Sequence, residues 1–110
     1  MAKKILSQQR KSLKEIKKSA QKRAIQSFKI KNKLGLHARA AASFVKITSH
    51  YKSDVDVEKD GQIINGKSIM GVLMLAAAKG STITISIRGE DCDDLMRELE
   101  QLIKKNFNED

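Results

Sequence analysis

The stretch TITISIR, Thr82–Arg88, is the clearest strand signal in the chain. Its isoleucines, Ile83, Ile85 and Ile87, occupy alternate positions, so all three lie on one face of an extended strand. Threonine, serine and arginine occupy the other positions and suit a face open to water. A strand of this kind is typical of an antiparallel sheet with one buried and one wet face. It predicts helices on a single side of the sheet.

The segment after this strand predicts a helix. Asp91, Asp93 and Asp94 lie at its start and Lys104 and Lys105 at its end, as the helix dipole favours. Its apolar residues recur at helical spacing: Cys92, Leu95, Met96, Leu99, Leu102 and Ile103.

Three more strands and two more helices precede TITISIR. The stretches FKIKNK (28–33) and DVDVE (54–58) alternate, and QIIN (62–65) returns after an Asp-Gly pair that favours a type I′ hairpin. Apolar spacing predicts helices from about 38 to 50 and from 69 to 76, with a stop at Gly80. The order βαββαβα indicates an α+β fold, a four-stranded antiparallel sheet covered by three helices.

The charge divides the chain into two parts. Residues 1–27 hold nine Lys/Arg and one acid, Glu15, a net +8, whereas residues 28–110 hold thirteen Lys/Arg and twelve acids, a net +1. A weak apolar stripe that ends at Ala24 predicts a helical basic arm over 1–27. We therefore expect a domain at 28–110. Because the body is nearly neutral and has few aromatic residues, specific nucleic-acid binding by it is not expected.

Length and cysteine content narrow the class of protein. A chain of 110 residues allows one domain. Cys92 is the only cysteine, so no internal disulfide forms and a reducing compartment fits. We find neither a secretory h-region nor a membrane-spanning stretch and expect a cytoplasmic protein without membrane insertion. We expect no metal or cofactor, since no second histidine or cysteine has ligand spacing to His37.

His37 is the first candidate functional residue. It lies in GLHARAAASF, residues 35–44, at the start of the first predicted helix. There the first amide groups lack partners, the helix dipole is positive, and Arg39 adds a full charge. Such a place suits an anion beside an imidazole that is nucleophilic toward phosphorus. From these residues alone, the alternative of an exposed histidine without a role stays open.

Ser68, in NGKSIMG, is the second candidate. Its position predicts the N-cap of the short second helix. A phosphate is tolerated at the same place, because the dipole and the free amides favour negative charge.

The stretches GLHARAAASF and INGKSIMGVLMLAAAKGSTITI together resemble the active-site and regulatory segments of HPr, the histidine phosphocarrier of the bacterial phosphotransferase system. The stretch NGKSIMGVLMLAA looks more like proteobacterial-type HPr, including the nitrogen-related branch NPr, than like the enteric sugar-transport form. The resemblance covers about Phe28 onward and implies an open-faced sandwich. The family motif has proline where this chain has Ala40, and the arm lies outside the common domain.

The resemblance implies a role for each candidate residue. His37 would accept a phosphoryl group on Nδ1 from enzyme I, charged by phosphoenolpyruvate, and pass it to an enzyme IIA protein. Arg39 would stabilise the phosphoryl group, and Ser68 would be the target of an HPr kinase. The partner-docking region would comprise Ile69, Met70, Leu73 and Met74.

We therefore expect a monomeric carrier with little chemistry of its own rather than an autonomous enzyme. Two alternatives stay open. One is a regulatory protein of the same fold, whose phosphorylation state controls partner proteins rather than sugar uptake. The other is an anionic-membrane or nucleic-acid binder that acts through the arm.

Overall fold

The computed structural model describes residues 22–109. It contains the strands β1 (Arg23–Lys29), β2 (Asp54–Lys59), β3 (Gln62–Asn65) and β4 (Thr82–Arg88) and the helices α1 (Ala38–Thr48), α2 (Ile69–Met74) and α3 (Cys92–Lys104). A short 3-10 turn, Asn106–Asn108, follows α3. The order βαββαβα predicted from the sequence is confirmed. None of the helices in this part of the chain has the length and hydropathy needed to cross a bilayer.

The strand TITISIR lies at the centre of the fold. The sheet has the order β1-β4-β2-β3, and every neighbouring pair is antiparallel. Ile85 of β4 is therefore flanked by Gln26 of β1 on one side and by Val57 of β2 on the other. Strand β4 therefore holds together β1 and β2, which are distant from each other in the sequence.

One face of the sheet is buried under the helices, as the alternation predicts. Ile83, Ile85 and Ile87 are 0% exposed, whereas the residues between them are half-buried. The apolar stripe of α3 is buried in the same core, together with Phe44 of α1. The prediction of an open-faced sandwich is confirmed.

The β2–β3 hairpin turns at Asp60 and Gly61. Both residues have positive φ, 51° and 84°. Two consecutive left-handed residues define a type I′ turn, whose twist matches the twist of the flanking strands. The Asp-Gly pair thus has the predicted conformation.

The boundary between arm and body differs from the prediction. Strand β1 spans Arg23–Lys29 and not the predicted 28–33, so Ala24 lies in the sheet and not on a helical stripe. Its whole length pairs with β4, from Arg23 opposite Arg88 to Lys29 opposite Thr82. Long-range pairing supplies these hydrogen bonds, and the local pattern before Phe28 does not signal it. Residues 1–21 of the predicted arm lie outside the described residues.

Two helices end earlier than predicted. Helix α1 ends at Thr48, and its C-cap is Ser49, not His50. Helix α2 ends at Met74, because Ala76 adopts a left-handed φ of 48°. The chain therefore leaves the helix six residues before Gly80, the predicted stop.

Candidate functional site

A tight turn before α1 positions His37. Gly35 has a φ of +64°, and a Cβ on it would lie 2.3 Å from the carbonyl oxygen of Ala77. The next residue, Leu36, donates its amide hydrogen to the same oxygen at 2.9 Å. Buried Asn32 closes the turn from inside, because its Nδ2 donates to the Gly35 carbonyl at 2.8 Å. Only glycine fits this close approach, which anchors the turn beside the segment after α2.

His37 is the N-cap of α1, with extended φ and ψ of −76° and 179°. Its carbonyl accepts from Ala41 at 2.8 Å, but its ring makes no capping bond. Within residues 22–109, the amides of Ala38, Arg39 and Ala40 have no acceptor. The helix dipole makes these groups attractive to an anion. The predicted combination of imidazole and free helix amides is therefore present.

The His37 ring is not fully exposed, because its Nε2 pairs with Oε1 of Glu109. The His37 side chain is 27% exposed and that of Glu109 is 15% exposed. The bond to His37 is the main cause that lowers the pKa of the Glu109 carboxyl, and burial opposes it. Sequence reasoning missed Glu109, since no local pattern links it to His37.

Arg39 and Ala40 follow on the first turn of α1. Arg39 is exposed, and its charge adds to the hydrogen bond from His37 in lowering the pKa of the Glu109 carboxyl. Ala40, at the position of the family proline, is 0% exposed. Its amide has no acceptor in residues 22–109, so the first turn loses no hydrogen bond through alanine or proline at this place.

Ser68 is the N-cap of α2, as predicted. Its Oγ accepts from the amide of Gly71 at 3.0 Å, and its carbonyl accepts from Val72 at 2.9 Å. The side chain is half-buried rather than enclosed. Helices α1 and α2 pack against each other, which places both N-caps in one layer above the sheet.

The residues after Ser68 form an apolar surface that we call the docking patch: Ile69, Met70, Leu73 and Met74. Met70 and Met74 are 69% and 64% exposed and Ile69 is 43% exposed, whereas Leu73 packs partly against the core. Exposed methionines on a short helix provide an adaptable surface for a partner. Leu34, 64% exposed in the turn before His37, is a further apolar residue that sequence reasoning did not single out.

His50 and Cys92 have contrasting surroundings. His50 is exposed, and its Nδ1 bonds to the carbonyl of Lys46 at 2.6 Å. Cys92 is fully buried, and burial raises the pKa of its thiol, so it is a poor nucleophile. No group of three or more His, Cys, Asp or Glu in residues 22–109 could hold a metal ion.

Known proteins match both the sequence and the fold of this chain. The family described as "PTS HPr component phosphorylation site" matches residues 25–105. The chain belongs to the HPr family. The phosphocarrier protein HPr of Neisseria meningitidis is 51% identical over 84 residues, which are 76% of this chain and 94% of that protein. Phosphocarrier function in the phosphotransferase system follows from this membership.

A further relative and two solved structures are also similar to this HPr-family chain. The HPr-like protein Crh of Halalkalibacterium halodurans is 45% identical over 76 residues, 69% of this chain and 90% of that protein. The crystal structure of HPr-C-His from Thermoanaerobacter tengcongensis has a TM-score of 0.77 at 40% identity and covers 79% of this chain and 98% of that one. A second structure from that organism, an HPr dimer, has a TM-score of 0.64 at 43% identity and covers 74% and 94%. A monomeric state for this chain stays a prediction.

Proposed function

We propose that His37 is the phosphoryl acceptor of this carrier. Its Nδ1 takes the group from enzyme I, which is charged by phosphoenolpyruvate, and gives it to enzyme IIA proteins. The observation that carries the proposal is the partly exposed imidazole at the N-terminus of α1, beside Arg39 and beside amides that have no acceptor within residues 22–109. The cytoplasm is the compartment in which we expect the exchange.

The transfer needs little from the protein besides electrostatics and position. The Nδ1 lone pair forms the bond to phosphorus, the bond between phosphorus and the donor atom of enzyme I breaks, and the electron pair leaves with that atom. The phosphoryl oxygens keep their negative charge throughout. The free amides of α1 and the Arg39 guanidinium supply the compensating positive charge.

We assign the recognition of partner enzymes to the docking patch. Met70 and Met74 expose apolar area along α2, and Leu34 exposes more in the turn that leads to His37. Exposed apolar groups grouped in this way are typical of protein-binding surfaces. A partner that covers the patch would also exclude water from the phosphoryl group on His37.

We further propose that an HPr kinase modifies Ser68 and so regulates the carrier. The Ser68 hydroxyl already lies at a helix N-terminus, where a phosphate is electrostatically favourable. The alternative function is a regulator whose phosphorylation state controls other proteins. The half-exposed Ser68 hydroxyl favours modification whether the protein is a carrier or a regulator. The His37 site favours the carrier function over the regulator.

The test is an intact-mass measurement after incubation with enzyme I and phosphoenolpyruvate. The wild-type chain should gain one acid-labile phosphoryl group, His37→Ala should gain none, and His50→Ala should behave as wild type. His50 is the matched control because it is an exposed histidine at the other end of α1. Undiminished phosphorylation of His37→Ala would overturn the proposal.

A further inference from the structure

The chain after α3 is bent into a conformation that residues rarely adopt. Asn106, Phe107 and Asn108 all have left-handed φ, of 53°, 57° and 62°. A phenylalanine is seldom found there, and such geometry persists only where surrounding contacts impose it. Phe107 supplies the main contact, since it is 3% exposed within the core. The turn sends the chain back toward α1 and brings Glu109 to His37.

Two donors define the position of the Glu109 carboxylate. His37 Nε2 contacts Oε1, and the Nδ2 of buried Asn32 lies 3.5 Å from the same oxygen. Asn32 is itself fixed by its bond to the Gly35 carbonyl. The carboxylate is thus tied to the turn that leads into α1, and its geometry depends on the same residues that place His37.

The charge state of Glu109 determines which ring nitrogen of His37 carries the proton. The lowered pKa of Glu109 keeps it a carboxylate at neutral pH. A carboxylate only accepts hydrogen bonds, so Nε2 must be the donor. In a neutral imidazole the other nitrogen, Nδ1, then holds a free lone pair.

We propose that Glu109 is a positioning residue for phosphoryl transfer: its carboxylate holds the His37 ring through Nε2–H and so presents Nδ1 as the nucleophile. The inference rests on the proposed function of His37 and adds a partner to it. It also gives the left-handed turn around Phe107 a role, because this turn brings the Glu109 carboxylate to His37.

Glu109 has its effect while the bond to phosphorus forms. As the Nδ1 lone pair is shared with phosphorus, the imidazole ring becomes positive, and the proton stays on Nε2. The bond between phosphorus and its donor atom on enzyme I breaks at the same time, and the donor atom keeps the electron pair. The negative Glu109 carboxylate stabilises the positive ring, and this interaction is stronger in the transition state than before it.

The first measurement is the tautomer of His37, read from ¹⁵N chemical shifts of the ring in the full chain. In the wild type, neutral His37 should carry its proton on Nε2. Glu109→Ala should shift part of the population to the Nδ1–H form. Glu109→Gln should keep the Nε2–H form, because Asn32 and His37 both need an acceptor oxygen there. An unchanged tautomer in Glu109→Ala would overturn the proposal.

The second measurement is the rate at which enzyme I phosphorylates the same variants. Glu109→Ala should lower kcat about tenfold with little change in KM, since the docking patch is untouched. Glu109→Gln should lie between Glu109→Ala and wild type, because it keeps the orientation and loses the charge, and Glu109→Asp should restore part of the rate. Glu90→Gln, an exposed glutamate before α3, is the matched control and should transfer at the wild-type rate.

Thermal unfolding separates a positioning role from a merely structural one. The Glu109→Gln protein should melt close to wild type while it transfers more slowly. Equal or faster transfer by Glu109→Ala and Glu109→Gln would overturn the role of Glu109 and leave His37 as the acceptor. Phosphorylation of His37→Ala would overturn the proposed function itself, so the two failures are distinguishable.

Discussion

His37 and Ser68 are both helix N-caps, but their side chains are used differently. The Ser68 hydroxyl accepts a hydrogen bond from Gly71, so it satisfies one of the free amides of α2. The His37 ring caps nothing and pairs with Glu109 instead. The first-turn amides of α1 therefore stay available to an anion, whereas one of those of α2 is already used. At the residue scale, the Ser68 side chain caps its helix and the His37 side chain does not.

This difference predicts that stability and transfer respond differently to changes at Ser68. Ser68→Ala loses the cap and should lower the free energy of unfolding by about 1 kcal/mol while phosphorylation of His37 continues at the wild-type rate. Ser68→Asp keeps a capping oxygen and should melt close to wild type. Its charge beside the docking patch should cost about 1–2 kcal/mol in binding enzyme I, roughly tenfold in transfer rate.

The measurements are thermal melting and initial transfer rates, with Ser49→Asp as the control. Ser49 is exposed and lies at the C-terminal end of α1. If Ser49→Asp slows transfer as much as Ser68→Asp does, the effect is one of net charge, and Ser68 is only a helix cap.

At the scale of elements, one carboxylate ties the loop after α1 to the start of α3. Asp91 accepts from the amide of Lys52 at 2.9 Å and from the amide of Ser53 at 3.1 Å, and it also accepts from the Ser53 hydroxyl. Although it precedes α3, it makes no capping bond to that helix. The bond from the Ser53 hydroxyl is the main cause that lowers the pKa of Asp91, and burial opposes it. The contact joins the segment between α1 and β2 to the segment between β4 and α3.

Asp91→Ala should lower the free energy of unfolding at pH 7 by about 1–3 kcal/mol, because three donors lose their acceptor. Since the pKa of Asp91 is lower in the folded than in the unfolded chain, its contribution is complete above the unfolded value, about 3.9, and is lost as pH falls further. The difference between variant and wild type should therefore narrow only below about pH 4.

Urea unfolding at several pH values checks this prediction, and Asp94→Ala serves as the control. Asp94 is 68% exposed and, within residues 22–109, pairs only with Arg97 at 3.2 Å, so its removal should change stability by less than about 0.5 kcal/mol. Equal losses of unfolding free energy in Asp91→Ala and Asp94→Ala would contradict the role of Asp91. A difference between Asp91→Ala and wild type that stays constant down to pH 3 would contradict it too.

At the scale of the whole molecule, the hydrophobic core is built from residues between Phe28 and Phe107. The sheet extends farther toward the N-terminus, because β1 starts at Arg23 and pairs with all of β4. Residues 1–21 hold seven Lys/Arg and one acid. We therefore expect the domain to fold without the charge of the arm, with a dividing point earlier than residue 27.

Deletion of residues 1–21 should leave a cooperative thermal transition and phosphorylation of His37 in place. Deletion of residues 1–26 also removes the part of β1 that pairs with Ile85–Arg88 and should lower the melting temperature by roughly 10 °C or more. Circular dichroism melting of both proteins is the measurement. A large loss on the shorter deletion would mean that the arm is part of the domain, and equal melting of the two would contradict the role of β1.

The amino-acid sequence by itself determined the order of strands and helices, the buried face of TITISIR, the type I′ turn at Asp60–Gly61 and the places of His37 and Ser68 at helix starts. Each of these depends on spacing or turn chemistry within a few residues. Only the tertiary structure decided where β1 begins, which residues of the docking patch are exposed, and the contact between His37 and Glu109, 72 positions apart. The physical reason is that strand pairing, burial and long-range hydrogen bonds depend on how distant segments pack. Three left-handed residues before Glu109 set that path, and no periodicity in the sequence signals them.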